Sequence, residues 1–202
     1  VLSAVVAPLL AILLTALTRA LGVPMTFDNL TLNNFSQVFE LPKARRAALN
    51  SIGLAASSAT VIVMVSLVIS YLLVRLRIKG GQIIEALILL PYAIPGTVVA
   101  LALILAFLKP LPLINVSIYN TIWILAVGYI TRFLNFGVRS INAAYEQVHI
   151  SLEESARISG ANFMTAFKDI VIPLIKTNVF AGWFLAFIPA LSELTLSILL
   201  YS

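Results

Sequence analysis

The chain has 202 residues, 61% of them hydrophobic and 10% charged, with a formal net charge of +5 and a mean hydropathy of +1.06. Soluble domains carry roughly 25% charged residues, so this is the composition of a membrane protein. The absence of cysteine and the single histidine, His149, exclude disulfides, thiolate metal sites and histidine clusters. Nucleic acid is set aside as a partner because the basic residues stand singly or in threes between apolar runs, as membrane flanks do.

Five windows come near the roughly 20 apolar residues that cross a hydrocarbon core of about 30 Å. They are Leu2–Leu17, Ser51–Val74, Ile83–Leu108, Ile118–Phe136 and Val179–Leu200. The expected fold is all-α, a polytopic transmembrane helix bundle. The first window lacks the charged start and small-residue cleavage pattern of a signal peptide and reads as a clipped first span. Residues 23–50 are too polar to span and read as an extracytoplasmic loop ending in a surface helix.

The turn "RLRIKGG", with Arg75, Arg77 and Lys79, is assigned to the cytoplasm by the positive-inside rule. Five spans then put the N-terminus on the cytoplasmic side and residues 137–178 in the cytoplasm. Lys43, Arg45 and Arg46 on the opposite side weaken the asymmetry, although Asp28 and Glu40 partly balance them. The first methionine is Met25 and the sequence stops at "LLYS" as its last span reaches the far interface, which suggests a fragment.

In the third window, "LLPYAIPGT" places Pro91, Pro95 and Gly96 within a span. Proline removes a backbone donor that lipid cannot replace, so such a break is tolerated where it faces protein or a water-lined cavity. With Tyr92 and Thr97 beside it, the break is a candidate for a translocation pathway, against the plainer reading of a packing kink. Glu193, in "PALSELTLS", is the second candidate. A carboxylate inside a span costs at least about 2.5 kcal/mol, so it usually faces the bundle interior. Arg132 looks like its partner, but depths counted from the span ends at about 1.5 Å per residue leave the two about 12 Å apart. Arg132 is therefore expected to snorkel to the cytoplasmic interface. Glu193 is expected in the outer half, near an extracytoplasmic gate, with a helix-packing hydrogen bond as the alternative.

The segment "SLEESARISGANFMTAFKDIVIP", residues 151–173, interrupts the apolar pattern. Ser151 and Glu154 form S-x-x-E, the capping box that starts a helix. Glu153 and Glu154 suit its positive end, and Arg157 lies within pairing distance of both. Gly160 can take the left-handed conformation that ends a helix, and Asn162 can cap the next. Pro173 is expected to stop that second helix. Small side chains at Ser155, Ala156 and Gly160 beside apolar Leu152 and Phe163 suit docking; an amphipathic loop lying on lipid is the alternative.

Glu154-Ser155-Ala156, three residues, Gly160, nine residues, then Ile170-Val171-Ile172-Pro173 closely resembles the EAA motif, E-A-A-x3-G-x9-I-x-L-P, of permease subunits in binding-protein-dependent ABC importers. Ser155 stands for an alanine and Ile172 for a leucine, both conservative changes. "LPYAIPGTVVALALILAF", "NSIGLAAS" and the basic turn after "SYLLV" extend the resemblance over most of the chain from about residue 50 onward. It implies a type I importer permease core in the bacterial inner membrane, with 1–202 a single transmembrane permease domain, a fragment or one half of a fused permease. It also implies that 151–173 is the cytoplasmic coupling loop, with Leu152, Glu153, Glu154, Ser155, Ala156, Gly160 and Pro173 engaging a cytoplasmic ATPase dimer. The other implied partners are a periplasmic substrate-binding protein, a second permease copy or half, and membrane lipid.

No G-x-x-x-x-G-K-[ST] phosphate loop occurs, so ATP is expected on a partner subunit, with no cofactor, metal or catalytic group in this chain. Tyr92, Pro95, Gly96 and Glu193 are the candidate pathway or gate residues. The span sequences look most similar to ferric iron permeases, with polyamine, thiamine, sulfate and phosphonate importers as near relatives. The rival classes are weaker: a secondary transporter or channel would need more ionisable span residues than Glu193 and Arg132, and an intramembrane enzyme would need paired catalytic groups.

Overall fold

The computed structural model describes residues 2–20, 22, 26–110, 115 and 117–201. The described residues are helical, with one isolated antiparallel bridge between Thr18 and Leu30. The helices are α1 (Leu2–Ala16), α2 (Asn33–Glu40), α3 (Pro42–Ser70), α4 (Gly81–Ala93), α5 (Gly96–Phe107), α6 (Ile122–Gln147), α7 (Ser151–Ile158), α8 (Phe163–Ala166), α9 (Ile172–Leu191) and α10 (Thr195–Leu200). The chain divides into two compact units, residues 1–51 and 52–202.

In the first unit, the last carbonyls of α1 find a side-chain partner. Asn34 Nδ2 donates to the oxygens of Ala16 and Thr18 at 2.9 and 2.7 Å, satisfying acceptors that a helix end leaves free. Of the expected loop, residues 23–25 lie outside the described residues. Its surface helix is α2, and the basic cluster Lys43, Arg45 and Arg46 falls in the first turns of α3 rather than in a loop.

The second unit is built on α6 packed against α9 in antiparallel order, with small residues at the crossing. Ser140 Oγ donates to the Asn178 oxygen at 2.8 Å, and a Cβ on Gly182 would stand 3.1 Å from that of Ser140. A Cβ on Gly137 would fall 2.5 Å from Ser66 Oγ and 2.8 Å from Ile62 Cγ2 of α3. Close backbone approach of this kind is how membrane helices gain packing when lipid is as apolar as their side chains. The core then runs through Ile62, Ile124, Phe133, Ala186, Leu196 and Leu200, with a second cluster around Ile141, Tyr145, Val171 and Ile175.

Among the described residues, two unbroken helical stretches are long and apolar enough to cross a membrane, Pro42–Arg75 and Phe163–Leu191. The third expected span is not continuous: α4 and α5 meet at a 107° bend. Pro95 supplies no N–H and Ile94, ahead of it, is extended (φ −85°, ψ 143°), the conformation that a following proline imposes. The fourth window starts later than expected, at Ile122, and its helix runs on to Gln147. The fifth is interrupted: α9 ends at Leu191 and α10 restarts at Thr195.

Pro173 does not stop a helix. A π-helical turn, Phe167–Val171, runs directly into α9, and the helix continues through Pro173; local π turns are one way a membrane helix accommodates the backbone groups that a proline frees.

Candidate functional site

Two features stand out, the segment after α6 and the junction of the two helix breaks. In the first, α7 begins one residue earlier than the sequence suggests. Ile150 is the cap, its oxygen accepting from Glu153 and Glu154 at 3.0 and 3.1 Å, and Ser151 is already helical. The capping box does not form because His149 Nδ1 takes its place, accepting the Ser151 N–H at 3.2 Å and lying 2.7 Å from the hydroxyl.

The far end of α7 agrees with expectation. Gly160 is left-handed, at φ +94°, and the Ala161 and Gly160 amides donate to the Ala156 and Arg157 oxygens, both at 3.0 Å. These are the two bonds of a Schellman cap. Asn162 Oδ1 then accepts from the Thr165 amide at 2.8 Å and caps α8.

Glu153 pairs with Arg75, not with Arg157: Arg75 Nε lies 2.8 Å from Glu153 Oε1, with the side chains 8% and 13% exposed. Arg75 ends the π-helical turn after α3, so this pair ties α7 to the end of the longest helix. The guanidinium also stands 5.5 Å above the Tyr145 ring, a favourable place for a cation. Tyr71 packs edge-on against Tyr145 and Phe163, with centroids 6.1 and 5.4 Å away. Phe163 is thus partly spent inside the protein. Within this segment Ile158 is the apolar residue most offered outward, at 87% exposure, with Leu152, Glu154 and Ser155 also exposed and Ala156 half-buried.

The second feature overturns the expected separation of Arg132 and Glu193. Arg132 Nε lies 3.4 Å from Glu193 Oε2, and both side chains are largely covered. Arg132 does not snorkel away: its Nη1 donates to the Ile94 oxygen at 3.0 Å, at the α4–α5 bend. The depth count failed because its span ends were not the helix ends. The α6–α9 packing slides one helix along the other, and the long guanidinium side chain closes the rest.

Glu193 sits in the break between α9 and α10. Its Oε1 accepts from the Leu196 amide at 3.1 Å, and its backbone oxygen accepts from Ser197 Oγ at 2.7 Å. Tyr129 on α6 lies 2.7 Å from the same Ser197 hydroxyl. Gly96, buried at the start of α5, allows this close meeting, since a Cβ there would stand 3.3 Å from Thr195 Cβ and 3.4 Å from Arg132 Nη1. Arg132 therefore joins one broken helix to the other. Of the four candidate gate residues, Pro95, Gly96 and Glu193 gather here, while Tyr92 packs edge-on against Phe136, 5.0 Å between centroids.

Residues 63–202 match the family described as "Binding-protein-dependent transport system inner membrane component". The chain belongs to this family. Among its relatives, a probable ABC transporter permease protein, y4fN, of Sinorhizobium fredii is 27% identical over 91% of the chain and 32% of its own length. The ferric transport system permease protein FbpB of Actinobacillus pleuropneumoniae is 30% identical over 82% of the chain and 24% of its own length. The spermidine/putrescine transport system permease protein PotC of Escherichia coli K12 is 26% identical over 75% of the chain and 55% of its own length. The chain thus spans only part of each of these permeases.

Within this permease-family chain, sequence reasoning missed three participants. Arg75 reads only as a topology charge, although it stands at the end of an apolar run. Ile158 falls among the three unspecified positions of the motif between Ala156 and Gly160. Ile94 acts through its backbone oxygen, which no residue type advertises, although the proline after it holds Ile94 extended and so turns its carbonyl out of the helix.

Proposed function

We propose that the chain is the permease component of an ATP-driven importer, passing cargo from a periplasmic binding protein through the inner membrane to the cytoplasm. In this reading α7 is the coupling helix. It docks in a cytoplasmic ATPase dimer that binds ATP, with Leu152 and Ile158 as apolar contacts and Glu154, Ser155 and Ala156 beside them. The observation that carries the reading is the Arg75–Glu153 pair beneath an outward-facing α7. A helix that must transmit a push needs a rigid link to a span, and a short loop resting on lipid does not. Gly160 sets the turn out of α7, and Pro173 lies where the force enters α9.

The gate in this reading is the Arg132 junction, with Pro95, Gly96 and Glu193 at its two helix breaks and Tyr92 alongside. A second permease copy or half completes the pathway. Five membrane crossings with a cytoplasmic N-terminus remain our topology. Ferric iron is the favoured cargo, supported by the likeness to FbpB, and the likeness to PotC makes a polyamine the second reading.

The test is uptake by proteoliposomes holding the whole importer, with its ATPase and binding protein. ATP-dependent accumulation of labelled ferric ion, abolished by removing the ATPase subunits, is the expected result. Accumulation that persists without ATP and follows an ion gradient would make the chain a secondary transporter instead.

A further inference from the structure

The stretch from α2 into α3 carries two features that the importer reading does not use. On α2, Phe35, Val38 and Phe39 fall on one face at helical spacing, with Leu32 at the cap on the same side, while Asn33, Asn34, Ser36, Gln37 and Glu40 take the other. The apolar face is exposed, Val38 by 55% and Phe39 by 80%. A single residue, Leu41, then separates α2 from α3, the start of a stretch long and apolar enough to cross a membrane. Lys43, Arg45 and Arg46 follow at once, all exposed.

These cations stand where local electrostatics disfavours them. Lys43 and Arg46 are like charges three residues apart, and all three lie at the positive end of the α3 dipole. None of them makes an ion pair among the described residues, not even with nearby Glu40. In the topology proposed above they also lie on the extracytoplasmic side, against the usual bias of basic residues. A span needed only to cross the membrane gains nothing from such a cluster. Its depth is that of lipid headgroups: Arg46 lies four residues beyond Pro42, about 6 Å along the helix, and the headgroup layer on each bilayer face is about 5–7 Å thick. A groove of about 350 Å³ opens there, with Arg45 and Arg46 beside apolar Phe39 and Leu49, and Glu40 as its one carboxylate. Exposed basic groups next to apolar surface match an anion that carries hydrocarbon chains.

We propose that α2 and the first turns of α3 form an interfacial anchor for an anionic phospholipid, whose phosphate meets Arg45 and Arg46 while Phe35, Val38 and Phe39 enter the acyl chains beside it. Interfacial helices bind by this combination, buried apolar area plus attraction to anionic headgroups. A zwitterionic lipid brings its own cation to the same arginines and is held less well. A soluble protein is the less favoured occupant, because a helix one residue from a span is held at the bilayer surface. The inference requires α3 to cross the membrane and is independent of ATP coupling and of cargo.

The chain contains no cysteine, so it can carry one fluorophore, at Val38→Cys on the apolar face or at Gln37→Cys on the polar one. The labelled chain is reconstituted in vesicles of phosphatidylglycerol and phosphatidylcholine, with one of the two lipids bearing brominated, quenching chains. Quenching should be strong from Val38→Cys and weak from Gln37→Cys, and stronger by brominated phosphatidylglycerol than by brominated phosphatidylcholine. Each arginine should contribute on the order of fivefold to that preference, so adding Arg45→Gln with Arg46→Gln should erase most of it. Adding Glu40→Gln, which removes the anion of the groove, should raise it. Equal quenching at the two label positions overturns the proposal, as does equal quenching by the two lipids or a preference that either variant leaves unchanged. If Val38→Cys is instead quenched by aqueous iodide and becomes protected only when a periplasmic binding protein is added, the face docks a protein and the lipid anchor is refuted. The comparison of label positions keeps both arginines, so it remains decisive if their replacement prevents folding.

Discussion

Arg132 and Glu193 lie 3.4 Å apart on α6 and at the α9–α10 break, and the same guanidinium reaches the Ile94 oxygen at 3.0 Å. One side chain therefore holds two interrupted helices. Removing it in Arg132→Ala leaves the largely covered Glu193 carboxylate without its cation and the Ile94 carbonyl without its donor, a loss of about 1–3 kcal/mol. Lysine cannot make both contacts, because an ammonium is a point charge and not a fork. Thermal unfolding in detergent should rank wild type above Arg132→Lys and Arg132→Ala. Glu193→Gln keeps the bond to the Leu196 amide but not the charge. We expect it to assemble and lose most uptake; normal uptake would reduce the pair to a packing strut.

Gly137 offers a test of stability alone. A methyl group at this position would enter the space of Ser66 Oγ and Ile62 Cγ2, at 2.5 and 2.8 Å. Overpacking costs about 1–3 kcal/mol, and Gly137→Ala should lower the melting temperature of the purified protein accordingly. Shrinking the neighbour in the double variant Gly137→Ala/Ser66→Gly should recover part of the loss. No recovery would mean that the α3–α6 contact does not set the limit.

The Arg75–Glu153 pair makes a prediction about coupling. With side chains 8% and 13% exposed, breaking it in Arg75→Ala strands the Glu153 carboxylate and frees α7 from α3. Uptake per ATP hydrolysed should fall about tenfold, equivalent to about 1.4 kcal/mol, while membrane insertion stays normal. The charge-swapped double variant Arg75→Glu/Glu153→Arg should regain part of the coupling. If Arg75→Ala couples as wild type does, α7 transmits force by some other contact.

At Gly160 the space is open, with nothing within 4 Å of an added Cβ, but φ is +94°. The obstacle to substitution is thus the backbone, costing roughly 1–2 kcal/mol for an L residue. Asparagine tolerates this region better than a β-branched residue does. Association with the ATPase, followed by co-purification, should decline from Gly160 through Gly160→Asn to Gly160→Val. Equal loss in both variants would point to a partner surface packed against the glycine itself.

Topology can be read by thiol labelling because the chain contains no cysteine. Single cysteines at the exposed positions Lys79 and Gln147 should resist an impermeant reagent in intact cells, and one at Gln37 should react. Gln37 is preferable to Asn34, whose side chain clamps the end of α1. Labelling of Gln147→Cys from outside would reverse the orientation and remove α7 from the ATPase side.

The sequence by itself determined the membrane class, the helical fold and the two-helix turn that follows α6. Composition sets the first two, and the third rests on short-range chemistry: a glycine at φ +94° and an asparagine cap depend on neighbours a few residues away. Even locally one detail escaped, because His149 occupies the position that the Ser151 capping box would need. Tertiary structure alone decided the rest. Whether Arg132 meets Glu193 depends on where α6 and α9 begin and how far they slide, and hydropathy windows locate helix ends too loosely to settle a difference of about 12 Å at about 1.5 Å per residue. The 107° bend between α4 and α5 was legible as a break but not as an angle, since proline removes a hydrogen bond without dictating where the chain goes next. The pairing of Arg75 with Glu153 follows from which helices pack together, and no spacing along the chain encodes that.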